Sequence, residues 1–395
     1  MKKIRFFYIK NILKQNSKIN VIACAITPWH ALGVISSVKK IASVHKDVKV
    51  LIIIMKHNDT GYAIDESSFE YISNDVFDIY YLDDDNVSVA KKMLKNIILP
   101  CKNVITANKI NTQLENDFHI VYPYKINLDF LGMVYSTRKN HNIKFVISDE
   151  GIGTYMKSEE EWDREVLNAG NNKLKYILKK INLSYSNMFN KKCIEIIKRK
   201  GLLFDWNILV KNQDKKLVNN ECILPFYKQM FSESKKVENS IYNGAIVINT
   251  QCYYDSGWID NDFDIDLLKI VCIIARKNKV PVVLKTHPRE KNVQRYKELP
   301  CTLDVRNGIS QEEIFASTEI KPLCVIGLTT TTLVTLKLFF DVEAISLAKI
   351  GLSKSNNNSL NNHMHNFINT FNNQVLIPND EELLGHMLET IINNR

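Results

Sequence analysis

The sequence predicts an α/β fold of two doubly wound domains, and three observations carry that expectation. At 395 residues the chain is too long for one hydrophobic core, and its 45% hydrophobic content is enough for two. Short apolar runs rich in β-branched residues alternate with stretches of helical spacing, the pattern of a parallel sheet covered on both faces. The alternation breaks off in a lysine-rich middle stretch and then resumes.

In chain order, the opening MKKIRFFYIKNILKQNSK is basic, and Lys10 interrupts its apolar residues, so it is too short for a signal-peptide core. It reads as a basic surface extension or, alternatively, as a membrane-surface anchor dipping Phe6, Phe7, Ile9 and Leu13 into the headgroups. NVIACAIT, VKVLIIIM, VFDIYYL, NVITA, FHIVYPY and IKFVIS have the length and composition of buried strands, and ALGVISSVKKIASV and SVAKKMLKNIIL carry helical spacing. Residues 1–185 thus form an N-terminal Rossmann-like domain. Residues 186–240, with KKCIEIIKRK and KNQDKKLVNN, lose the rhythm and read as a connector holding one or two helices of its own. A second series occupies residues 241–375. Its strands are AIVINT, VPVVLKTHP, CTLDVR, LCVIGL and VEAISLA, separated by the helical stretches DIDLLKIVCIIARKNK, SQEEIFAS and TTTTLVTLKLFF. The asparagine-rich SKSNNNSLNNH reads as a loop, and residues 376–395 as a C-terminal helix with Asp380 as N-cap. Two Rossmann-like domains facing across a cleft describe the GT-B architecture, an outline shared with periplasmic-binding and epimerase-type proteins.

Bulk properties narrow the function classes. A formal charge of +9 makes an anionic partner plausible without choosing one. The eight cysteines are scattered, mostly in apolar runs and with no CxxC pair, as in a reduced cytoplasmic protein without a disulfide framework or zinc site. No apolar run reaches the length needed to span a bilayer.

Ligands of open parallel sheets bind outside the carboxyl ends of the strands, so the residues that follow each apolar run carry the chemistry. Four ends stand out: ITPWH at 26–30, SDEGIG at 148–153, KTHPRE at 285–290 and GLTTTT at 327–332. A strand ending at Gly327 and passing through Thr329, Thr330, Thr331 and Thr332 into a helix offers hydroxyls and backbone N–H groups to an anion, or else merely caps the helix. His287, with Lys285 and Arg289 beside it and Pro288 stiffening the turn, suits a phosphate. Asp149 and Glu150 repel each other, which raises a carboxyl pKa toward that of a general base, and Gly151 and Gly153 let the backbone turn away and admit an acceptor. The plainer alternative for the acidic pair is an N-cap or a salt-bridged turn. Thr27, Trp29 and His30 stand at the first of these ends, a further place where a ligand is expected to enter. There is no convincing D-x-D metal site, dinucleotide fingerprint or Ser-His-Asp spacing. A leaving group with a single phosphate, neutralised by histidine and hydroxyls, suits this set.

SDEGIGTY, KTHPRE and VIGLTTTTLV resemble, in order and spacing, the acidic-acidic-glycine, His-Pro and paired-hydroxyl motifs of bacterial sialyltransferases, most closely the capsular polysialyltransferases. The resemblance covers about residues 143–348. It implies a GT-B enzyme that uses CMP-sialic acid, needs no metal or other cofactor and inverts the anomeric centre. Carried over residue by residue, Asp149 is the general base and His287 binds, and is placed to protonate, the departing CMP phosphate. Thr330, Thr331 and Thr332 hold the phosphate or the sialyl carboxylate, with Lys285, Pro288, Gly327 and Thr329 around them, and Glu312 contacts the ribose. The sequence departs from the family pattern in having threonine throughout the hydroxyl run and aspartate where polysialyltransferases commonly have glutamate. The resemblance further implies a cytoplasmic protein with a glycan acceptor ending in sialic acid or galactose, peripheral contact with the membrane or a capsule assembly complex, and no nucleic-acid partner. Two alternatives stay open: another activated sugar such as CMP-Kdo, or a non-catalytic polysaccharide-binding module.

Overall fold

A computed structural model describes residues 2–4, 19–25, 27–55, 69, 76–82, 118–123, 143–148, 151, 177, 180, 184, 195, 199, 203–206, 224–233, 240–259, 262–288, 290–306, 310–316 and 321–394. These fall into two compact units, one drawn from residues up to Met230 and the other from Gly151 and the residues from Phe231 onward.

In the first unit, β1 (Lys2–Ile4), β2 (Val21–Ala25), β3 (Val50–Met55), β4 (Val76–Leu82), β5 (Phe118–Pro123), β6 (Ile143–Ser148) and β7 (Leu203–Trp206) form one sheet in the order β1-β4-β3-β2-β5-β6-β7. All of its pairings are parallel. Every residue of β2 is buried, so the strand has no polar face to turn to water and both sides of the sheet must be covered. Helix α1 (Pro28–Val44) supplies part of that cover through Ala31, Leu32, Val34, Ile35, Val38 and Ile41. Gly33 lets the helix come close to the sheet: a Cβ there would lie 3.2 Å from the Ser148 Cβ and 3.0 Å from the Tyr227 hydroxyl of α2 (Leu224–Glu233).

Two expectations change here. Lys2–Ile4 pair with Tyr80–Leu82 as the sheet's edge strand, so this part of the basic opening is a strand and not a surface extension. Phe6, Phe7, Ile9 and Leu13 lie outside the described residues, as do NVITA and SVAKKMLKNIIL. The stretch 186–240 is also more than a connector, because Leu203–Trp206 extend the sheet beside Phe145–Ser148. Its four strand residues are too few to stand out from the lysines around them.

The second unit contains β8 (Ile246–Asn249), α3 (Phe263–Lys277), β9 (Val282–Lys285), β10 (Thr302–Asp304), α4 (Gln311–Ala316), β11 (Cys324–Gly327), α5 (Thr331–Phe340), β12 (Glu343–Ser346), α6 (Ala348–Lys354), α7 (Asn358–Phe371) and α8 (Glu381–Asn393). The sheet order is β10-β9-β8-β11-β12, again with only parallel pairs. In each unit the chain winds outward from a central strand, returns to that strand's other side and winds outward again. The points where the winding reverses lie between β2 and β5 and between β8 and β11. Acidic Asp264 and Asp266 in the first turn of α3, with Arg276 and Lys277 in the last, complement the helix dipole.

Of the asparagine-rich stretch only residues 355–357 are the expected loop; from Asn358 onward it is helix. The Asn357 side chain accepts from the Leu360 N–H at 3.0 Å to cap α7, and Leu360, His363, Met364, Phe367 and Phe371 recur at helical spacing on its buried side. Asparagine composition suggested a loop, but the period of the apolar residues between the asparagines decides the structure. Asp380 caps α8 through the Leu383 N–H at 2.8 Å.

Helical burial of this stretch makes a direct prediction. Phe367→Ala should cost about 3–5 kcal/mol, whereas Asn362→Ala on the exposed side should change stability by less than about 0.5 kcal/mol, both read from urea unfolding midpoints.

Candidate functional site

In the second unit the polar residues gather where β8 and β11 end side by side. Gly327 is paired with Asn249, and a Cβ at position 327 would meet the Asn249 carbonyl at 2.9 Å and the Thr330 methyl at 3.0 Å, so a side chain there would force the strand ends apart. With glycine in place, the Asn249 amide donates to the Thr332 hydroxyl at 2.9 Å, and the Thr330 and Thr332 hydroxyls lie 2.8 Å apart. Thr329 is bonded to the Tyr253 hydroxyl and is 1% exposed. Thr330 occupies the N-cap of α5 with extended backbone but makes no side-chain cap. The hydroxyls therefore bond one another and the end of β8 instead of capping the helix. Thr331 and Thr332 are half-buried at the start of α5.

Tyr253 is held by an aromatic cluster. Its ring stacks on Trp258 at 5.4 Å with planes 4° apart, and His363 of α7 meets both rings edge-on at 5.8 and 5.5 Å. The helix hidden in the asparagine-rich stretch thus reaches the site.

On the other side of β8, β9 ends at Lys285 and the chain turns through His287 and Pro288, both half-buried. The His287 N–H is shared between Thr250 Oγ1 at 3.0 Å and Glu290 Oε2 at 2.8 Å. Lys285 has a different place from the one expected beside a donor phosphate. It is 8% exposed, its ammonium donates to the Arg306 carbonyl, and it lies 4.0 Å from Asp304 Oδ1. Burial pushes its pKa down against the pull of Asp304.

Asp304 is the hub of that buried network. Arg306 donates to its two oxygens at 2.9 and 2.6 Å and Tyr242 donates its hydroxyl. Burial alone would push the Asp304 carboxyl up, but the hydrogen bonds from Arg306 and Tyr242 and the Lys285 charge outweigh it and hold the pKa at about 2. Glu312 is likewise turned inward, 4% exposed, accepting from the Thr335 hydroxyl of α5 at 2.5 Å, with burial pushing its carboxyl up. It fastens α4 to α5, which corrects the expectation that it faces a ribose.

In the first unit the expected acceptor-side residues begin α1. The half-buried Thr27 accepts through its hydroxyl from the His30 N–H at 3.2 Å as the N-cap, and His30 is 4% exposed. Trp29 is half-buried with its ring 5.9 Å from Tyr227. Asp149, Glu150, Arg289 and Gly153 lie outside the described residues. Gly151, in the second unit, is buried with φ at 106°, a conformation that strongly favours glycine.

Several contributors went unread in the sequence: Asn249, Thr250, Tyr253 and Asp304. The first two could have been found, since NT ends AIVINT as a polar pair straight after an apolar strand. Tyr253 and Asp304 carry no local sign of their distant partners, Thr329 after β11 for the one, Tyr242 and Lys285 for the other.

The sequence matches the alpha-2,8-polysialyltransferase family over residues 22–349. No curated protein matches it. Among solved structures, it is similar to a Listeria monocytogenes protein described as a UDP-N-acetylglucosamine 2-epimerase, at TM-score 0.50 and 10% identity over 95% of this chain and 88% of that one. A Methanocaldococcus jannaschii UDP-GlcNAc 2-epimerase in complex with UDP-GlcNAc and UDP gives 0.45 at 12% identity over 95% and 93%. A Medicago truncatula protein complexed with UDP-glucose gives 0.38 at 9% identity over 96% and 100%. The first likeness, with the two doubly wound sheets, gives the GT-B class and speaks of fold alone.

The Asp304 network predicts a pH dependence. A carboxyl whose folded pKa of about 2 lies below the usual value of about 3.9 stabilises the protein above pH 4 and loses that contribution as pH falls toward 2. Relative to wild type, Asp304→Asn should lose on the order of 3 kcal/mol at neutral pH, and the gap should narrow between pH 4 and pH 2 in urea unfolding.

Proposed function

Since this chain belongs to the alpha-2,8-polysialyltransferase family, a family of glycosyltransferases, we propose that it moves sialic acid from CMP-sialic acid to a glycan hydroxyl, ending in sialic acid or galactose, in the synthesis of capsule or another surface polysaccharide. The observation that carries this reading is the hydroxyl cluster of Thr330, Thr332 and the Asn249 amide at the start of α5, with the His287 turn at the end of β9. A helix start lined with hydroxyls suits a single phosphate, because its N–H groups and dipole favour negative charge.

In this reading the CMP phosphate sits at the start of α5. Asp149 takes the proton of the acceptor hydroxyl, whose oxygen attacks the anomeric carbon from the face opposite CMP. The new C–O bond forms as the bond to the phosphate oxygen breaks, with inversion and oxocarbenium character. His287 donates to the leaving phosphate, and the threonine hydroxyls stabilise the charge that develops on it. Chemistry of this kind proceeds without a metal ion. Thr27, Trp29 and His30 face the acceptor, with Trp29 the one to stack on its sugar. Among the described residues no helix is long and apolar enough to cross a membrane. We place the enzyme in the cytoplasm, with peripheral contact to the membrane or to a capsule assembly complex.

Asp149→Ala should lower transfer about 10²–10⁴-fold while leaving CMP affinity within about threefold, as read by product mass spectrometry and calorimetry. Unaltered turnover rejects the proposed base. His287→Ala should lower kcat about 10²–10³-fold. Thermal protection by CMP but not by UDP or GDP supports the donor class. Transfer from CMP-Kdo in place of CMP-sialic acid would redirect it, and binding of polysaccharide without any transfer would make the protein a non-catalytic module.

A further inference from the structure

We propose that Glu290 is a positioning residue that fixes the backbone of His287 at the end of β9, a role that rests on the part given to His287 above. Both carboxylate oxygens are in use. Oε2 accepts the His287 N–H at 2.8 Å and the Thr250 hydroxyl, and Oε1 accepts the Tyr296 hydroxyl at 2.5 Å. Thr250 Oγ1 accepts the same His287 N–H at 3.0 Å, so that amide sits between two acceptors which are themselves bonded together. Three segments meet at one carboxylate: the end of β8, the turn after β9, and the 3-10 turn Val293–Tyr296.

The turn does not need the carboxylate to close. The Glu290 N–H already donates to the His287 carbonyl at 2.9 Å, and Pro288 fixes φ within the turn. A half-buried carboxylate is a costly way to add stability, and burial pushes the Glu290 carboxyl up even as hydrogen bonds from Thr250, Tyr296 and His287 pull it back. What the carboxylate adds is a hold on the amide of the residue that meets the leaving group. Next to it, Asp255 accepts from the Lys291 N–H at 2.7 Å and from the Asn292 amide group at 2.5 Å, so the loop carrying His287 is fastened twice to the segment that follows β8. Displacing a reacting group by about 1 Å can cost about a hundredfold in rate.

The test compares the full-length wild type with Glu290→Ala and Glu290→Gln. Glu290→Ala should lower kcat roughly 10- to 100-fold with the KM for CMP-sialic acid within about threefold, and should speed hydrogen exchange at the His287 amide roughly tenfold by NMR. Glu290→Gln, whose amide oxygen still accepts that N–H, should recover most of kcat. A folded Glu290→Ala protein with unchanged kcat, a loss confined to KM, or unaltered His287 exchange overturns the proposal. Should Glu290→Ala not fold, Tyr296→Phe decides: a severalfold lower kcat supports the role and an unchanged one overturns it. A wild type that transfers no sialic acid to any acceptor defeats the functional reading alone, and His287 exchange then still decides the positioning claim.

Discussion

The close approach of β8 and β11 at Gly327 is the constraint on which the second unit's polar site depends. A doubly wound sheet opens a crevice where its winding reverses, but the crevice is useful only if the two strand ends stay within hydrogen-bonding reach of each other's side chains. A missing Cβ keeps the Asn249 carbonyl and the Thr330 methyl at either side of the glycine, and the Asn249–Thr332 and Thr330–Thr332 contacts follow. Tyr253 extends the same pattern to Thr329, and α7 holds Tyr253 in turn through His363.

The polar residues at these strand ends divide into two populations. Lys285, Asp304 and Tyr242, with the partly exposed Arg306, form one paired network, and Glu312 with Thr335 another; both tie neighbouring elements together. Removing one partner from such a network strands a buried charge, which costs far more than an exposed pair contributes. The threonines of α5, Asn249 and the His287 turn instead stand at the strand ends. The motif KTHPRE therefore carries two jobs within a few residues: Lys285 serves the sheet, while His287 and Glu290 belong to the turn beyond it.

How much of this was legible in the sequence depended on how local its cause was. The strands and helices of the second unit were readable because burial on both faces produces uninterrupted apolar runs, as in β8 and β11, and burial on one face produces a helical period, as in α3. Where composition and period disagreed, composition misled: asparagines hid α7 although Leu360, Met364, Phe367 and Phe371 kept helical spacing. The strand Leu203–Trp206 was too short to detect without its partner β6. At the site, the motifs located the turns, yet the direction of each side chain came from residues distant in sequence. Lys285 is drawn toward Asp304 and the Arg306 carbonyl, and Glu312 toward Thr335 more than twenty positions on, and nothing adjacent to either residue announces it.

The Thr330–Thr332 pair has a property that a lysine or arginine in its place would lack. Either hydroxyl can be the donor, and the two exchange roles when each rotates about its own C–O bond. Such a pair can turn its dipoles in more than one direction while every heavy atom stays where it is.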